Sequence, residues 1–174
     1  MKLTWVSFIA TVCAAGLVAS SAAAAKPASC SKGDAQSAFE APFQHLVGNP
    51  CQYRLFWDGQ TRTFCQGDFI LGGVNYFDPY KADGLLRKDV IAYFDQIQDF
   101  VWIDGVQQPL MQTAFKDGVD LSGDIAVYQQ RGFIAQLPVG VHTSLWKEID
   151  PVYGVSTATV TLDVLPGSDP ACSG

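Results

Sequence analysis

The sequence predicts a mainly β fold, an antiparallel β-sandwich carrying one or two short helices. Three observations lead there. Residues 141–165 alternate apolar and polar side chains in two runs separated by Asp150-Pro151, the two-residue period of half-buried antiparallel strands. Asp-Gly, Gly-Gly and Asp-Pro pairs cut much of the remaining chain into strand-length pieces. Four cysteines follow a leader-like start, an even number that suits an exported, disulfide-bonded domain. The 174 residues are 48% apolar with a formal net charge of −6. That is enough for one real core, and it argues against non-specific binding to nucleic acid or anionic membrane.

Taken in order, Met1-Lys2, an apolar run over 3–18 and small residues over 19–25 read as a secretory signal peptide spanning 1–25. The apolar run is short for a bilayer span of about 20 residues. The mature chain is therefore expected to insert in no membrane and to be secreted or periplasmic. Residues 26–33 are expected to be a mobile lead-in held by Cys30, and residues 34–174 a single sandwich domain. Ala35, Ala38, Phe39, Phe43, Leu46 and Val47 make a loose helical pattern interrupted at Pro42, so a short helix ends before that proline. Alternation over 52–57, the Asp58-Gly59 turn signal and residues 61–65 predict a hairpin. Residues 69–77 read as a further strand, with Gly72-Gly73 inviting a bulge.

After Asp83, which could cap a helix, Leu86, Val90, Phe94, Ile97 and Val101 recur at helical spacing. Residues 100–104 follow as a strand apolar on both faces, ended by Asp104-Gly105. In the final hairpin, Val141, Thr143, Leu145 and Ile149 are assigned to the core face of the first strand. His142, Ser144, Trp146 and Glu148 then fall on its wet face. In the second strand Ala158, Val160, Leu162 and Val164 are assigned to the core.

Cys13 departs with the leader, leaving Cys30, Cys51, Cys65 and Cys172. Three pairings are possible. The hairpin reading favours Cys51 with Cys65, which leaves Cys30 with Cys172 to fasten the chain ends. Zinc is the weaker alternative, since no Cys-x-x-Cys occurs and only His45 and His142 could assist.

The stretch Leu137-Pro138-Val139-Gly140-Val141-His142-Thr143, an Asp-Pro turn and a Thr/Val-rich strand resemble the final hairpin of bacterial extracellular immunoglobulin-like β-sandwich domains. The resemblance covers about 30 residues and implies an antiparallel immunoglobulin-like sandwich. It implies no activity, because such sandwiches host many.

Few constellations carry chemistry. A Ser-His-Asp arrangement from Ser144, His142 and Asp163 or Asp150 lacks the sharp turn and Gly-x-Ser-x-Gly element of a nucleophile, so His142 is read first as a turn-stabilising residue. Of the 17 acidic residues 15 are Asp, many of them before Gly or Pro, which fits turn chemistry. Asp117, Asp120 and Asp124 form the one run that could wrap calcium, without EF-hand spacing. Trp146, with His142 and Glu148 on its face, is the candidate glycan platform, and Tyr76 and Tyr80 form a second candidate patch. The function expected is a secreted non-enzymatic binding or interaction module whose partner is an extracellular glycan or protein. A small Asp-dependent hydrolase, calcium-stabilised, is the alternative.

Overall fold

Ala158, Val160, Leu162 and Val164 are buried on one face of the last strand, as their alternation requires. The computed structural model describes residues 29–41, 49–119 and 122–172. The expected leader, most of the helix's second half with His45, and Asp120 lie outside the described residues.

The elements are α1 (Lys32–Glu40), β1 (Gln52–Arg54), β2 (Thr61–Cys65), β3 (Ile70–Asp78), α2 (Arg87–Phe94), β4 (Gln98–Ile103), β5 (Val106–Gln107), β6 (Met111–Gln112), β7 (Lys116–Val119), β8 (Ile125–Ala135), β9 (Gly140–Asp150) and β10 (Gly154–Leu165). They build two five-stranded sheets. Sheet A runs β1-β3-β8-β6, with β7 also on β8, and sheet B runs β2-β10-β9-β4-β5. Tyr53, Ile70, Val74 and Phe133 of sheet A meet Phe64, Val101, Trp146, Val160 and Leu162 of sheet B in a common core. The fold is mainly β with two helices, as expected, but the sheets are mixed rather than antiparallel: β1 lies parallel to β3 and β2 parallel to β10.

The expected hairpin over 52–65 does not form. The chain turns at Asp58-Gly59 and changes sheet, so β1 and β2 find different partners. This alters the cystine pattern. Cys51 bonds Cys30 and Cys65 bonds Cys172, in place of the expected Cys51–Cys65 and Cys30–Cys172. β2 runs beside the end of β10, with Cys65 opposite Leu165, which brings Cys65 within reach of the chain's last residues. Asp68 joins the two cystines: its Oδ1 accepts from the Cys30 amide at 2.9 Å and its Oδ2 from the Cys65 amide at 2.8 Å.

α1 begins at a capping box in which Ser31 Oγ accepts from the Asp34 amide and Asp34 accepts from the Ser31 amide. Its Ala35, Ala38 and Phe39 pack with Leu71 and Ile134 on the outer face of sheet A. Gly72-Gly73 makes no bulge, because the β3–β8 ladder is unbroken from Ile70–Ala135 to Asp78–Val127. The glycines serve close approach instead. A Cβ on Gly132 would lie 2.4 Å from the Gly72 carbonyl oxygen, and one on Gly72 would lie 2.4 Å from the Phe133 ring.

The helical periodicity after Asp83 ends early. Only Arg87–Phe94 is helical, and its N-cap is Leu86, with no side-chain cap from Asp83. Ile97 sits in the connecting turn and Val101 is an inward residue of β4. Asp104-Gly105 does turn the chain as expected. Both residues have positive φ, 49° and 81°, and they join Ile103 to Val106 in a two-residue hairpin loop.

Candidate binding surface

The predicted faces of β9 are exchanged. Val141 and Leu145 are 70% and 39% exposed, whereas His142, Ser144 and Trp146 are buried. Leu162, Val160 and Ala158 stand opposite His142, Ser144 and Trp146, and residues opposite each other in an antiparallel pair share a face. Polar atoms can occupy that interior because each has a partner. Ser144 Oγ accepts from the Tyr53 hydroxyl at 2.7 Å, and Trp146 Nε1 donates to Asp99 Oδ1 at 2.9 Å. His142 touches Asp104 Oδ2 through Nδ1 at 2.7 Å and the Pro138 carbonyl through Nε2 at 2.9 Å. Trp146, at 5% exposure, therefore offers no face to a sugar.

Three predicted residues do come together, but inside the molecule. Tyr76 Oη bonds both Asp99, at 2.8 Å, and Glu148, and Asp99 also takes the Trp146 indole. One phenol carries one proton and cannot donate to two carboxylates at once. The single phenol proton is therefore shared between Asp99, which also pairs with Arg131 at 3.1 Å, and Glu148. Burial raises Glu148 above the ordinary glutamate range, with the charges of Asp99 and Asp150 adding to the rise and the hydrogen bond from Tyr76 and the charge of Arg131 opposing it. Arg131 completes the cluster. Its guanidinium lies 4.8 Å from the Tyr76 ring centroid and donates to the carbonyls of Phe94 and Ile97 at 2.6 and 2.7 Å, closing the C-terminal end of α2.

Tyr80 packs in the small cluster around Val90, Phe94 and Val127, which Tyr76 also joins. Asp117 is ion-paired with Arg87 at 2.7 Å, Asp124 stands just before β8, and Asp120 lies outside the described residues. Among the described residues no three His, Cys, Asp or Glu side chains are grouped to hold a metal ion.

The outer face of sheet B carries aromatic side chains beside polar ones. Phe100 and Trp102 alternate outward on β4 while Val101 and Ile103 are buried. Their rings lie 6.0 Å apart and within 21° of parallel. Across the sheet, Trp102 stands opposite Leu145 and Leu145 opposite Thr159, while Phe100 stands opposite Lys147 and Lys147 opposite Thr157. The neighbouring row is Thr143, Thr161 and Thr61. Aromatic rings thus border a rank of hydroxyls on one side of the sheet. Both helices pack against sheet A, and the outward Val141, Thr143, Leu145, Thr157 and Thr159 are exposed. The features that suggested a platform at Trp146 are met one strand away at Trp102. The two-sided apolar character of residues 100–104 was its sequence signal.

No protein-family description matches the chain, and no curated protein matches it. Two solved structures resemble 65% of the chain: the solution structure of amebosin, at 14% identity over 95% of its own chain with a TM-score of 0.34, and the crystal structure of the cysteine protease inhibitor EhICP2 from Entamoeba histolytica, at 11% identity over 93% of its chain with a TM-score of 0.33. At these values the likeness carries no functional weight.

Proposed function

We propose that this chain is an extracellular, non-enzymatic binding module that carries a glycan on the outer face of sheet B. The observation behind this reading is the juxtaposition of Phe100 and Trp102 with Lys147 and the threonines of β9, β10 and β2 on an exposed sheet surface. Aromatic faces take the C–H faces of sugar rings, and hydroxyls and an ammonium group supply hydrogen bonds to sugar hydroxyls. Two cystines suit an oxidising compartment. Among the described residues no helix is long and apolar enough to cross a membrane. Adhesion is favoured over turnover because two carboxyl groups that meet at Tyr76, those of Asp99 and Glu148, are engaged by Tyr76, Trp146 and Arg131, and the Asp99 side chain is only 1% exposed. The immunoglobulin-like kinship of residues 137–165 belongs to the same proposal. The long antiparallel β9–β10 pairing supports it, while the parallel pairs set this chain apart from an all-antiparallel sandwich.

Retention on insoluble cellulose, chitin and xylan tests the reading. Wild-type protein should be retained on at least one matrix, and Trp102→Ala should lose retention with little change in melting temperature. Trp146→Ala should instead destabilise by about 3–5 kcal/mol, as a large buried ring does. Retention of Trp102→Ala equal to wild type, or no retention of wild type on any matrix, would remove the glycan reading.

A further inference from the structure

At the other side of the molecule, α2, the end of β3 and the β9–β10 turn enclose a groove of about 420 Å³. Its walls are apolar: Phe77, Leu85, Tyr93, Val152 and Tyr153 line it, and Leu85 and Val152 are 39% and 69% exposed. Two carboxyl groups, of Asp78 and Asp89, also line it. The Tyr93 hydroxyl donates to Asp150 at 2.6 Å and is not available to Asp78. Asp78 Oδ1 is out of solvent and has no hydrogen-bond partner. Of the two cations on α2, Arg87 is ion-paired with Asp117 on β7 and Lys88 directly precedes Asp89. An apolar trough bordered by two carboxyl groups asks for a side chain with an apolar stem and a cationic, hydrogen-bond-donating head. Arginine and lysine have that construction, and arginine can donate to a carboxylate through two N–H groups.

We propose that this groove receives a basic side chain, flanked by apolar residues, from an extended segment of a partner protein. The stem packs against Phe77, Leu85 and Tyr153, and the head donates to Asp78, with Asp89 adding to the attraction. The net charge of −6 favours the encounter with a basic partner. Burial and the neighbouring Asp83 push the Asp78 carboxyl upward from the ordinary range, the condition of an acid that an arriving cation would relieve. The groove is separate from the open face of sheet B, so the two proposals stand or fall independently.

The test is titration of the full-length mature protein with three blocked tripeptides, acetyl-Leu-Arg-Phe-amide and its versions with Gln or Glu at the centre, followed by amide chemical shifts and calorimetry. The Arg peptide should saturate and shift the amides of Phe77, Leu85 and Val152. The Gln peptide should bind at least about tenfold more weakly and the Glu peptide not measurably. Asp78→Asn should reduce Arg-peptide affinity about tenfold or more, and Asp89→Asn should act in the same direction, which covers the case in which the first variant does not fold. Trp102→Ala should bind the peptide as wild type does. No binding of the Arg peptide, equal binding of the Arg and Gln peptides, or full affinity in folded Asp78→Asn would overturn the proposal.

Discussion

His142 shows how much one side chain can decide. Both of its ring nitrogens face acceptors, Asp104 Oδ2 and the Pro138 carbonyl, and satisfying both requires both N–H groups, that is, the imidazolium. The hydrogen bond to Asp104 raises the His142 pKa above its ordinary 6.5; burial opposes the rise and the Pro138 carbonyl adds to it. A raised folded-state pKa stabilises fully below the unfolded value and loses that contribution as pH climbs through the folded value. The urea midpoint should therefore fall as pH rises above about 6.5 and through the raised folded value, and His142→Gln should flatten that slope. Equal slopes in the two proteins would show that this clasp is not the titrating group. The turn-stabilising role was legible in the sequence, because Asp104-Gly105 and Pro138-Val139-Gly140 both announce turns. The burial was not, because a histidine's interior place depends on partners 38 and 4 residues away.

Elements were legible in proportion to how clean their period is. β10 alternates Thr with Val or Leu and its core side was assigned as it stands. β9 has apolar residues on both sides, and local hydropathy chose Val141, Leu145 and Ile149 over the pair Trp146 and His142. A stronger signal was present in the turn. Gly154 pairs with Asp150, so every even residue of β9 faces an even residue of β10, and the buried even set of β10 then places Trp146 inside. β8, the centre of sheet A, was not read at all, because its buried run includes Gln129, Gln130 and Arg131. A strand like that becomes visible only when Asp99 and the carbonyls of α2 are in place to receive the guanidinium. The two sides of β3 and β8 meet at Gly72 and Gly132, and neither has room for a methyl group. Gly132→Ala should force these strands apart and cost about 1–3 kcal/mol, the range of overpacked sites, measured by denaturant unfolding. A stability equal to wild type would mean that the ladder can shift to admit a methyl.

At the scale of the whole molecule, the cystines close loops of very different length. Cys65 and Cys172 are 107 residues apart and Cys30 and Cys51 are 21 apart. Loop-closure entropy assigns about 4–5 kcal/mol to the longer and about 3 kcal/mol to the shorter. Replacing Cys65 and Cys172 with alanine should accordingly lower stability more than replacing Cys30 and Cys51. The reverse order would mean that native-state contacts, rather than chain entropy, dominate. The long-range pairing was hidden from the sequence by one wrong partner: a local hairpin over 52–65 is the simplest arrangement, and only the change of sheet at Asp58-Gly59 excludes it.

Asp68 gathers residue 30 and, through Cys65, residue 172 at one pole of the molecule. β3 leaves that pole two residues later and delivers Asp78 to the opposite one, roughly 30 Å away at the usual rise per residue. A protein fixed to a support beside the Cys30–Cys51 and Cys65–Cys172 cystines would thus hold the α2 side outward, ready to meet whatever passes. A bulky label at 152–153 would seal that side instead.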